Sequence, residues 1–348
     1  MSILSSRGIV LVGGAGFIGH HLALRLKELG AKVFIIDSLA VNNYYSFKSK
    51  VDFIPNGELY LKIIEERLEL LEQKSIPFTT IDARDYHRLT EVIKEMDADT
   101  LIHLAAVAHA DQSNKDPYST FDHSLRTLEN SLDIARSPNL NIKHFIYFSS
   151  SMVYGRFTSD SVTEESPCDP LGIYGALKFA GEKLVIAYKQ VFDLPYTIVR
   201  PSALYGPRCV SRRVGQVFIE NALQGLEISI RGDGTDRLDF TYIDDLVSGM
   251  VNVLENANSK NQIFNLTYGE SRSVGQMADI LAEHFPGIKV NYLPKDKLVP
   301  DRGTMCVDKA RQMIGYNPQF PLERGFVEYI EWYKSIGNIG GCATGATI

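Results

Sequence analysis

The sequence predicts an α/β fold in which a doubly wound parallel sheet is followed by a smaller C-terminal lobe. The first half of the chain alternates short β-rich runs with amphipathic helical stretches, which is the pattern of repeated β-α-β units. After Pro201 this alternation loosens, and glycine, proline and arginine become frequent. The length of 348 residues also indicates one large α/β unit or two lobes that share a cleft.

The predicted elements follow one another in regular order. The strand-like runs are Gly8–Val12, Lys32–Ile36, Phe78–Ile81, Thr100–His103, His144–Phe148 and Tyr196–Val199. Predicted helices include His20–Leu29, Leu177–Val191, Val214–Gln224 and Ser273–His284. Because strands alternate with helices of crossover length in the first half, we expect helices on both faces of the sheet.

One segment, residues 41–77, is longer than a crossover connection needs, and we interpret it as an insertion near the mouth of the ligand site. Within it Leu59–Leu71 has an amphipathic pattern, with Glu65, Glu66 and Arg67 on the predicted solvent side. We expect this insertion to serve as a lid or as an oligomer contact.

The chain is predicted to divide near residue 200. Residues 1–200 form the sheet domain, and residues 201–336 form mainly the smaller lobe, with a return to the sheet near 240–265. The glycine-rich residues 337–348 are expected to be a frayed tail.

The composition is that of an ordinary globular protein, with 22% charged residues and a net charge of −6. This balance provides neither a basic surface for nucleic acid nor a polybasic membrane patch. The apolar runs are strand-sized and the first residues are too few and too polar for a secretory signal. The four cysteines lie far apart, which argues against a metal site or a disulfide framework. We therefore expect a soluble protein of the reducing cytoplasm.

The glycine-rich turn IVLVGGAGFIG places Gly13, Gly16 and Gly19 at intervals of three, directly after the first strand and before the first helix. In this context the first glycine permits a tight turn and the second lets the backbone approach a pyrophosphate. The third permits close packing of helix on strand. Free N–H groups and the helix dipole then face the negative charge. The turn predicts a Rossmann-type dinucleotide site.

Asp37 ends the second strand, where a carboxylate can accept hydrogen bonds from the adenosine ribose. The alternative role for this aspartate is a helix or turn cap. As a ribose ligand it would repel a 2′-phosphate, which favours NAD over NADP. Asp82 is a candidate contact for the adenine, and Leu104, Ala105 and Ala106 are candidates to line the cofactor. The alanine pair can equally serve packing alone.

Tyr174 and Lys178 form a Tyr-x-x-x-Lys motif on a predicted helix, and the spacing of four places both side chains on one face. An adjacent ammonium and a positive nicotinamide ring can lower the pKa of a tyrosine towards neutrality, so that it acts as a base. Ser150 lies at the carboxyl end of a strand, the edge at which open α/β sheets bind ligands. Ser150 and Tyr174 together can hold a substrate hydroxyl between a donor and a base.

Motifs along nearly the whole chain resemble those of one known family. They are VGGAGFIG, the Asp37 position, HLAA, FSSSMVYG, YGALK, RPSALYGP, GDGTDRLDFTYIDDL and VDKARQMIGYNP. The chain resembles an extended short-chain dehydrogenase/reductase of the NAD-dependent epimerase/dehydratase family. By this resemblance Ser150, Tyr174 and Lys178 take the roles of the catalytic serine, tyrosine and lysine. The resemblance also implies a nucleoside-diphosphate sugar substrate and a homodimer built on a four-helix interface.

We expect the cofactor contacts to come from the glycine turn, from the ends of neighbouring strands and from the catalytic helix. These residues are Gly13, Gly16, Phe17, Ile18, Gly19, Asp37, Asp82, Ala83, Leu104, Ala105, Ala106, Ser149, Tyr174, Lys178 and Pro201. Residues 201–336 are expected to bind mainly the substrate.

One departure from the family pattern narrows the reaction. Sugar 4,6-dehydratases of the family carry an acidic pair directly after the hydroxyl residue, and here these positions are Ser151 and Met152. Neither side chain can remove or donate the proton needed to expel water. The glutamate usual in the related decarboxylases is also absent, so elimination and decarboxylation are both disfavoured.

A second departure concerns the substrate lobe, where the family's Arg-Asp-Phe reads Leu238-Asp239-Phe240. The expected diphosphate-binding arginine is therefore missing at that position. Arg302 matches another arginine that reaches the diphosphate in the family, and arginine suits bidentate phosphate contact. The remaining candidates are Arg208, Arg212, Arg213, Arg231 and Arg237, of which the Arg212–Arg213 pair can equally be a solvated loop. The other candidate substrate contacts are Ser113, Ser150, Ser151 and Met152, while His109 is expected to be structural.

The sequence thus predicts an NAD-dependent nucleotide-sugar 4-epimerase. Tyr174 would remove the proton of the C4 hydroxyl, Ser150 would polarise the C4 oxygen, and NAD would accept the hydride and return it to the opposite face. A net 4-dehydrogenase or ketoreductase is the first alternative. A 4,6-dehydratase or decarboxylase, and last a non-enzymatic NAD-binding regulator, are less favoured.

Overall fold

A parallel β-sheet is the centre of the computed structural model, which describes residues 3–108, 110–295 and 300–336. In chain order the strands of these residues are β1 (Gly8–Val12), β2 (Lys32–Asp37), β3 (Phe78–Thr80), β4 (Thr100–His103), β5 (His144–Phe148), β6 (Ser161–Val162), β7 (Tyr196–Arg200), β8 (Leu204–Tyr205), β9 (Ile228–Arg231), β10 (Arg237–Leu238), β11 (Thr241–Tyr242), β12 (Gln262–Asn265), β13 (Arg272–Ser273), β14 (Val290–Leu293) and β15 (Thr304–Met305). Among them, seven strands form one sheet in the order β3-β2-β1-β4-β5-β7-β12, and every neighbouring pair is parallel. The predicted doubly wound α/β fold is confirmed.

Helices cover both faces of this sheet. In the described residues they are α1 (Phe17–Glu28), α2 (Tyr44–Lys48), α3 (Gly57–Gln73), α4 (Tyr86–Glu95), α5 (Ala110–Lys115), α6 (Pro117–Phe121), α7 (Thr127–Ala135), α8 (Gly172–Phe192), α9 (Val214–Leu223), α10 (Ile243–Glu255), α11 (Val274–His284), α12 (Asp308–Ile314) and α13 (Leu322–Ser335). None of the helices in the described part of the chain has the length and apolar character to cross a membrane.

The side chains of β1 alternate between two apolar cores, one on each face of the sheet. Ile9 and Leu11 belong to a buried cluster shared with α1 and α10, while Val10 and Val12 belong to one shared with α4, α7 and α8. Because successive side chains of a strand point to opposite faces, a run that is apolar throughout requires cover on both sides. The strand order reverses between β1 and β4, which creates the switch point where open α/β sheets bind ligands.

The smaller lobe has its own apolar cluster, formed by α9, α11, α13 and the parallel pair of β9 and β14. The chain returns to the sheet after β11. There α10 packs on α1, and β12 pairs with β7 at the edge of the sheet.

The insertion contains α2 and α3, and one prediction about it is wrong. Arg67, expected on the solvent side of α3, is 1% exposed, and its Nε donates to the carbonyl of Arg208 at 2.9 Å. The reason is that α3 is covered on two sides: it packs on α1, and its Tyr60 hydroxyl donates to Glu220 of α9 at 2.6 Å. The predictions for His109 and for residues 337–348 lie outside the described residues.

Candidate active site

The glycine turn between β1 and α1 is shaped by backbone contacts that exclude side chains. Gly13 has φ of +83°, and a Cβ there would lie 2.6 Å from the backbone nitrogen of Ala105. A Cβ on Gly19 would collide with the carbonyl of Gly14. Gly16, at the N-cap of α1, is different, because an added Cβ would meet only the Gly13 carbonyl at 3.4 Å. The turn therefore leaves an open backbone surface at the start of α1, as an anion-binding helix terminus requires.

Asp37 is tied to this turn by hydrogen bonds. Its Oδ2 accepts from the backbone nitrogen of Ala15 at 3.0 Å, and its Oδ1 accepts from that of Leu39 at 2.8 Å. Burial raises the pKa of Asp37, while these two hydrogen bonds and the charge of Arg67 oppose the rise. The carboxylate thus caps the turn, as the alternative prediction states. It also lies beside the glycine-rich turn, and it has lone pairs left for ribose hydroxyls.

Asp82 lies beyond β3, the neighbour of β2, so it shares the sheet edge with Asp37. It forms an ion pair with Arg84, with 2.6 Å between Oδ2 and Nη2, and this pair lowers the pKa of Asp82. On the other side of the cradle, the backbone nitrogens of Leu104 and Ala105 both donate to the Val12 carbonyl. These contacts bring the loop after β4 directly against the glycine turn.

The other candidate cofactor residues lie around the same edge. Phe17 and Ile18 form the first turn of α1 and are partly exposed, as is Ala106, whereas Ala83 is buried. Pro201 accepts a hydrogen bond from the backbone nitrogen of Ser151 at 2.9 Å. The Ser149 hydroxyl donates to Glu182 at 2.5 Å, so its interaction in the protein is with a buried carboxylate.

The predicted catalytic residues meet where α8 begins and β5 ends. Lys178 Nζ donates to the Phe148 carbonyl at 2.7 Å, and the Ser150 side chain lies close enough to the Tyr174 hydroxyl to act on its pKa. Gly175 permits this approach, because a Cβ there would lie 2.8 Å from the carbonyl of Met152 in the turn that follows Ser150. The structure therefore brings the serine, the tyrosine and the lysine together in one site.

The pKa values of this set follow from burial. Burial raises the pKa of Tyr174, and the charge of Arg213 and the hydrogen bond to Ser150 oppose the rise. Burial lowers the pKa of Lys178 to about 8, and the carboxylate of Glu182 opposes that change. The sequence argument expects a lowered tyrosine pKa, as a base requires. The protein's own groups do not produce it, because the effect of burying the hydroxyl is larger than the opposing effects of Arg213 and Ser150.

One of the predicted arginines, Arg213, lies near Tyr174, and a second, Arg302, lies near Arg213. Burial lowers the pKa of Arg302, and the charge of Arg213 lowers it further, to about 10. The same charge acts on the pKa of Tyr174. Within the described residues Arg302 Nε is buried and has no hydrogen-bond partner. Arg302 lines a cavity of about 530 Å³ together with Phe157, Thr158, Ser159, Asp160, Arg237, Ser271, Asp301, Gly303 and Thr304. A buried Nε without a partner, on a half-buried arginine beside a second arginine, favours an anionic ligand here.

The other arginines have protein partners or lie at the surface. Arg237 Nε donates to the Ser271 hydroxyl at 3.0 Å, and Arg231 is exposed at the end of β9. Arg212 donates to the Pro55 carbonyl at 3.0 Å. Arg208 donates to His20 at 3.1 Å and pairs with Glu66 at 3.2 Å, so it joins the smaller lobe to α1 and the insertion. The two neighbouring arginines thus differ in their surroundings: Arg212 contacts the insertion, and Arg213 lies near Tyr174.

The remaining candidate substrate residues border the predicted catalytic set. Ser113 is buried on α5, which packs against α8. Ser151 is buried, and the backbone nitrogen of Met152 donates to Ser150 Oγ at 3.2 Å. Sequence reasoning missed Gly175 and the buried carboxylate of Glu182. The signal for Glu182 was present as an acidic residue four positions after Lys178 on a helix otherwise rich in apolar residues.

The glycine cradle together with the Ser-Tyr-Lys set defines an enzyme of the short-chain dehydrogenase/reductase type. The chain belongs to the NAD dependent epimerase/dehydratase family, whose model matches residues 9–267. The predicted family is confirmed.

Known relatives resemble the chain over almost its full length. A Bacillus subtilis protein described as an uncharacterized UDP-glucose epimerase, YtcB, is 30% identical, over 94% of this chain and 98% of that protein. UDP-glucuronate 4-epimerase 1 of Arabidopsis thaliana is 29% identical, over 94% of this chain and 76% of that one. Among solved structures, UDP-glucuronic acid 4-epimerase from Bacillus cereus, in complex with UDP-glucuronic acid and NAD, is similar with a TM-score of 0.82 and 27% identity. The structural match covers 94% of this chain and 99% of the Bacillus cereus chain.

Proposed function

We propose that the protein is an NAD-dependent 4-epimerase of a nucleoside-diphosphate sugar. One observation carries the proposal: Ser150, Tyr174 and Lys178 meet beside a glycine cradle while the next two positions hold Ser151 and Met152 instead of an acidic pair. Relatives named as 4-epimerases of UDP-glucose and UDP-glucuronate favour this function over its alternatives.

NAD fits the residues that are present. The backbone at Gly13 and Gly16 carries no side chain that would fill the cradle, and the N-terminus of α1 faces it. Asp37 would accept hydrogen bonds from the adenosine ribose, and Lys178 would bind the nicotinamide ribose. When bound, NAD supplies the hydride acceptor for C4 of the sugar and the donor that reverses the step.

The chain's own residues move the proton and orient the sugar. Tyr174 removes the proton of the C4 hydroxyl as the hydride leaves C4, and it returns the proton when the hydride returns to the other face. Ser150, which lies beside the Tyr174 hydroxyl, donates to the C4 oxygen and holds it in line. The charge of Arg213, which opposes the high pKa of Tyr174, favours the tyrosinate that this step needs.

The substrate's diphosphate is assigned to Arg302 and Arg213. Two neighbouring guanidinium groups repel each other in the absence of an anion, and Arg302 Nε is buried without a partner among the described residues. A diphosphate offers oxygen acceptors to both groups. Since several relatives are named for UDP sugars, UDP-glucose and UDP-glucuronate are the first substrates to test.

The test is incubation with a panel of nucleotide sugars without added NAD, followed by mass spectrometry and NMR of the products. We expect an unchanged mass and a new sugar spectrum with the C4 configuration inverted. Loss of two hydrogens only when NAD is added would instead establish the 4-dehydrogenase. Loss of water would refute the argument from Ser151 and Met152. The Tyr174→Phe variant is the control for chemistry at this site.

We further propose a homodimer in a reducing compartment such as the cytoplasm, with the predicted division of the chain near residue 200. Exposed aromatic and aliphatic side chains on α6 and α8 support the dimer: Tyr118 is 86% exposed, Phe121 48%, Val191 70% and Phe192 44%. Light scattering of the wild type and of Phe121→Asp tests it, because a charge in a dimer interface should yield monomers. A wild-type monomer would refute it.

A further inference from the structure

A buried carboxylate, Glu182, lies on the same face of α8 as Tyr174 and Lys178 and has no part in the reaction proposed above. The three residues follow one another at intervals of four, so their side chains line one face of the helix. Glu182 is 1% exposed and Lys178 is 7% exposed. Charges this far removed from water are stable only when other groups compensate them.

Glu182 is compensated by Arg200, at the end of β7, and by Ser149. Its Oε1 accepts from Ser149 Oγ at 2.5 Å and from Arg200 Nε at 2.8 Å. Its Oε2 accepts from Arg200 Nη2 at 2.7 Å, which makes the ion pair bidentate. Arg200 also donates to the Tyr154 hydroxyl at 2.9 Å. The network therefore runs from α8 across the sheet to the turn that follows Ser150.

This network holds the strand end that leads to the catalytic serine. Lys178 Nζ donates to the carbonyl of Phe148, and Glu182 accepts from the next residue, Ser149. Two consecutive residues of the chain are thus bonded to two consecutive turns of α8. Because Ser150 follows directly, its distance from Tyr174 depends on both contacts.

The titratable groups around Lys178 come from α8, β4 and β5. They are Glu182 and Tyr174 on α8, His103 at the end of β4, and Tyr147 of β5, whose ring centroid is 5.2 Å from Nζ. Burial lowers the pKa of His103 to about 3 and raises the pKa of Tyr147 well above its usual value, so both are neutral. Glu182, although it is paired with the cation of Arg200 on β7, is therefore the group whose negative charge opposes the effect of burial on Lys178.

We propose that Glu182 is a positioning residue: it maintains the ammonium form of Lys178 and, through Ser149, fixes the position of Ser150. The inference rests on the proposed function, in which the lysine works as a cation beside the tyrosine.

The test compares Glu182→Gln, which removes the charge but keeps the shape, with the wild type. We expect kcat to fall by about tenfold or more while KM changes little, because the loss is in orientation at the reacting centre. The alkaline limb of the pH profile of kcat should move about one pH unit lower, since burial of Lys178 is then unopposed. A wild-type alkaline limb in Glu182→Gln would overturn the proposal.

Two further variants separate charge from packing. Glu182→Asp keeps the charge and should leave the alkaline limb at its wild-type pH. Glu220→Gln removes a buried carboxylate of α9 that accepts from Tyr60 and Tyr333, far from α8 in the chain, and should not move the limb either. A limb that moves equally in all three variants would show that loss of a buried polar contact, and not the charge, is responsible.

A measurement without turnover keeps the inference separate from the proposed function. In protein labelled with carbon-13 at lysine Cε, the Lys178 resonance is identified by its loss in Lys178→Met and titrated directly. Its midpoint should fall in Glu182→Gln, or in the double variant with Arg200→Gln if the single variant does not fold. An unmoved midpoint overturns the inference. If the wild type epimerises no nucleotide sugar, the proposed function fails, yet this titration still decides the role of Glu182.

Discussion

The three glycines of the turn after β1 should respond to alanine substitution in three different ways. Gly16→Ala places a Cβ 3.4 Å from a single carbonyl, so we expect a loss of stability of no more than about 1 kcal/mol, as at other N-cap positions. NAD affinity should nevertheless fall by about tenfold or more, which is about 1.4 kcal/mol, because the methyl group takes the space of the pyrophosphate. Stability and affinity are therefore separated at this position.

At Gly13 and Gly19 the cost should appear in the unliganded protein. Gly13→Ala forces a side chain into positive φ, at about 1–2 kcal/mol, and also against the backbone of Ala105, where overpacking adds about 1–3 kcal/mol. Gly19→Ala carries the overpacking cost without the φ cost, because its added Cβ collides with the carbonyl of Gly14.

Urea denaturation of the unliganded variants and calorimetric titration with NAD make the comparison. If Gly16→Ala keeps wild-type NAD affinity, the assignment of the pyrophosphate to this turn is wrong. If Gly16→Ala is as unstable as Gly19→Ala, the steric reasoning itself fails.

Three further predictions concern the catalytic tyrosine, the diphosphate arginine and a buried aspartate. Tyr174→Phe should reduce epimerisation by about 100-fold or more while NAD stays bound, measured by NMR of products and by cofactor titration; a variant with near-normal rate would contradict its role. Arg302→Met should raise the KM for the nucleotide sugar by about tenfold without lowering the free energy of unfolding, because it removes a guanidinium whose buried Nε lacks a partner among the described residues. An unchanged KM would exclude the diphosphate contact. Burial raises the pKa of Asp239 to about 6, so its contribution to stability is present at low pH and is lost as the pH rises through 6. Across pH 4 to 7 this loss amounts to about 3 kcal/mol, which Asp239→Asn should remove in urea denaturation, and a pH-independent difference from the wild type would refute it.

The strands of the sheet were predictable because they are buried on both faces. Lys32–Asp37 and His144–Phe148 are short runs of mostly apolar residues that lie between glycine-rich or polar connections. Their length and these flanks indicate a buried strand and not a helix. The edge strand β12, Gln262–Asn265, was expected only as part of a return to the sheet. Its pairing with β7 joins residues more than 60 positions apart, as in Gln262 with Thr197, and no local pattern specifies such a partner.

The grouping of Ser150, Tyr174 and Lys178 was predictable because local motifs place all three residues. Tyr174 and Lys178 share one helix, and Ser150 sits at a strand end, so two local motifs and the geometry of a parallel sheet place all three. The apolar surroundings of Glu182 on α8 gave a sign of its burial, but its pairing with Arg200 was not predictable, because the arginine lies on a strand and no local pattern identifies it as the partner.

The arginine-rich segment after β8 shows how distant contacts decide the role of each side chain. Arg208 and Arg212 both have positive φ, at 62° and 50°, which is uncommon for residues with a side chain and persists where surrounding contacts hold the backbone. Those contacts come from the insertion: Arg67 binds the Arg208 carbonyl, and the Pro55 carbonyl accepts from Arg212. The insertion thus binds Arg208 and Arg212, whereas Arg213, at the N-cap of α9, lies close enough to Tyr174 for its charge to act on the tyrosine pKa. Arg67 of the insertion contacts the smaller lobe as well as the sheet domain, and that explains why an amphipathic pattern read from α3 alone assigned this residue to solvent.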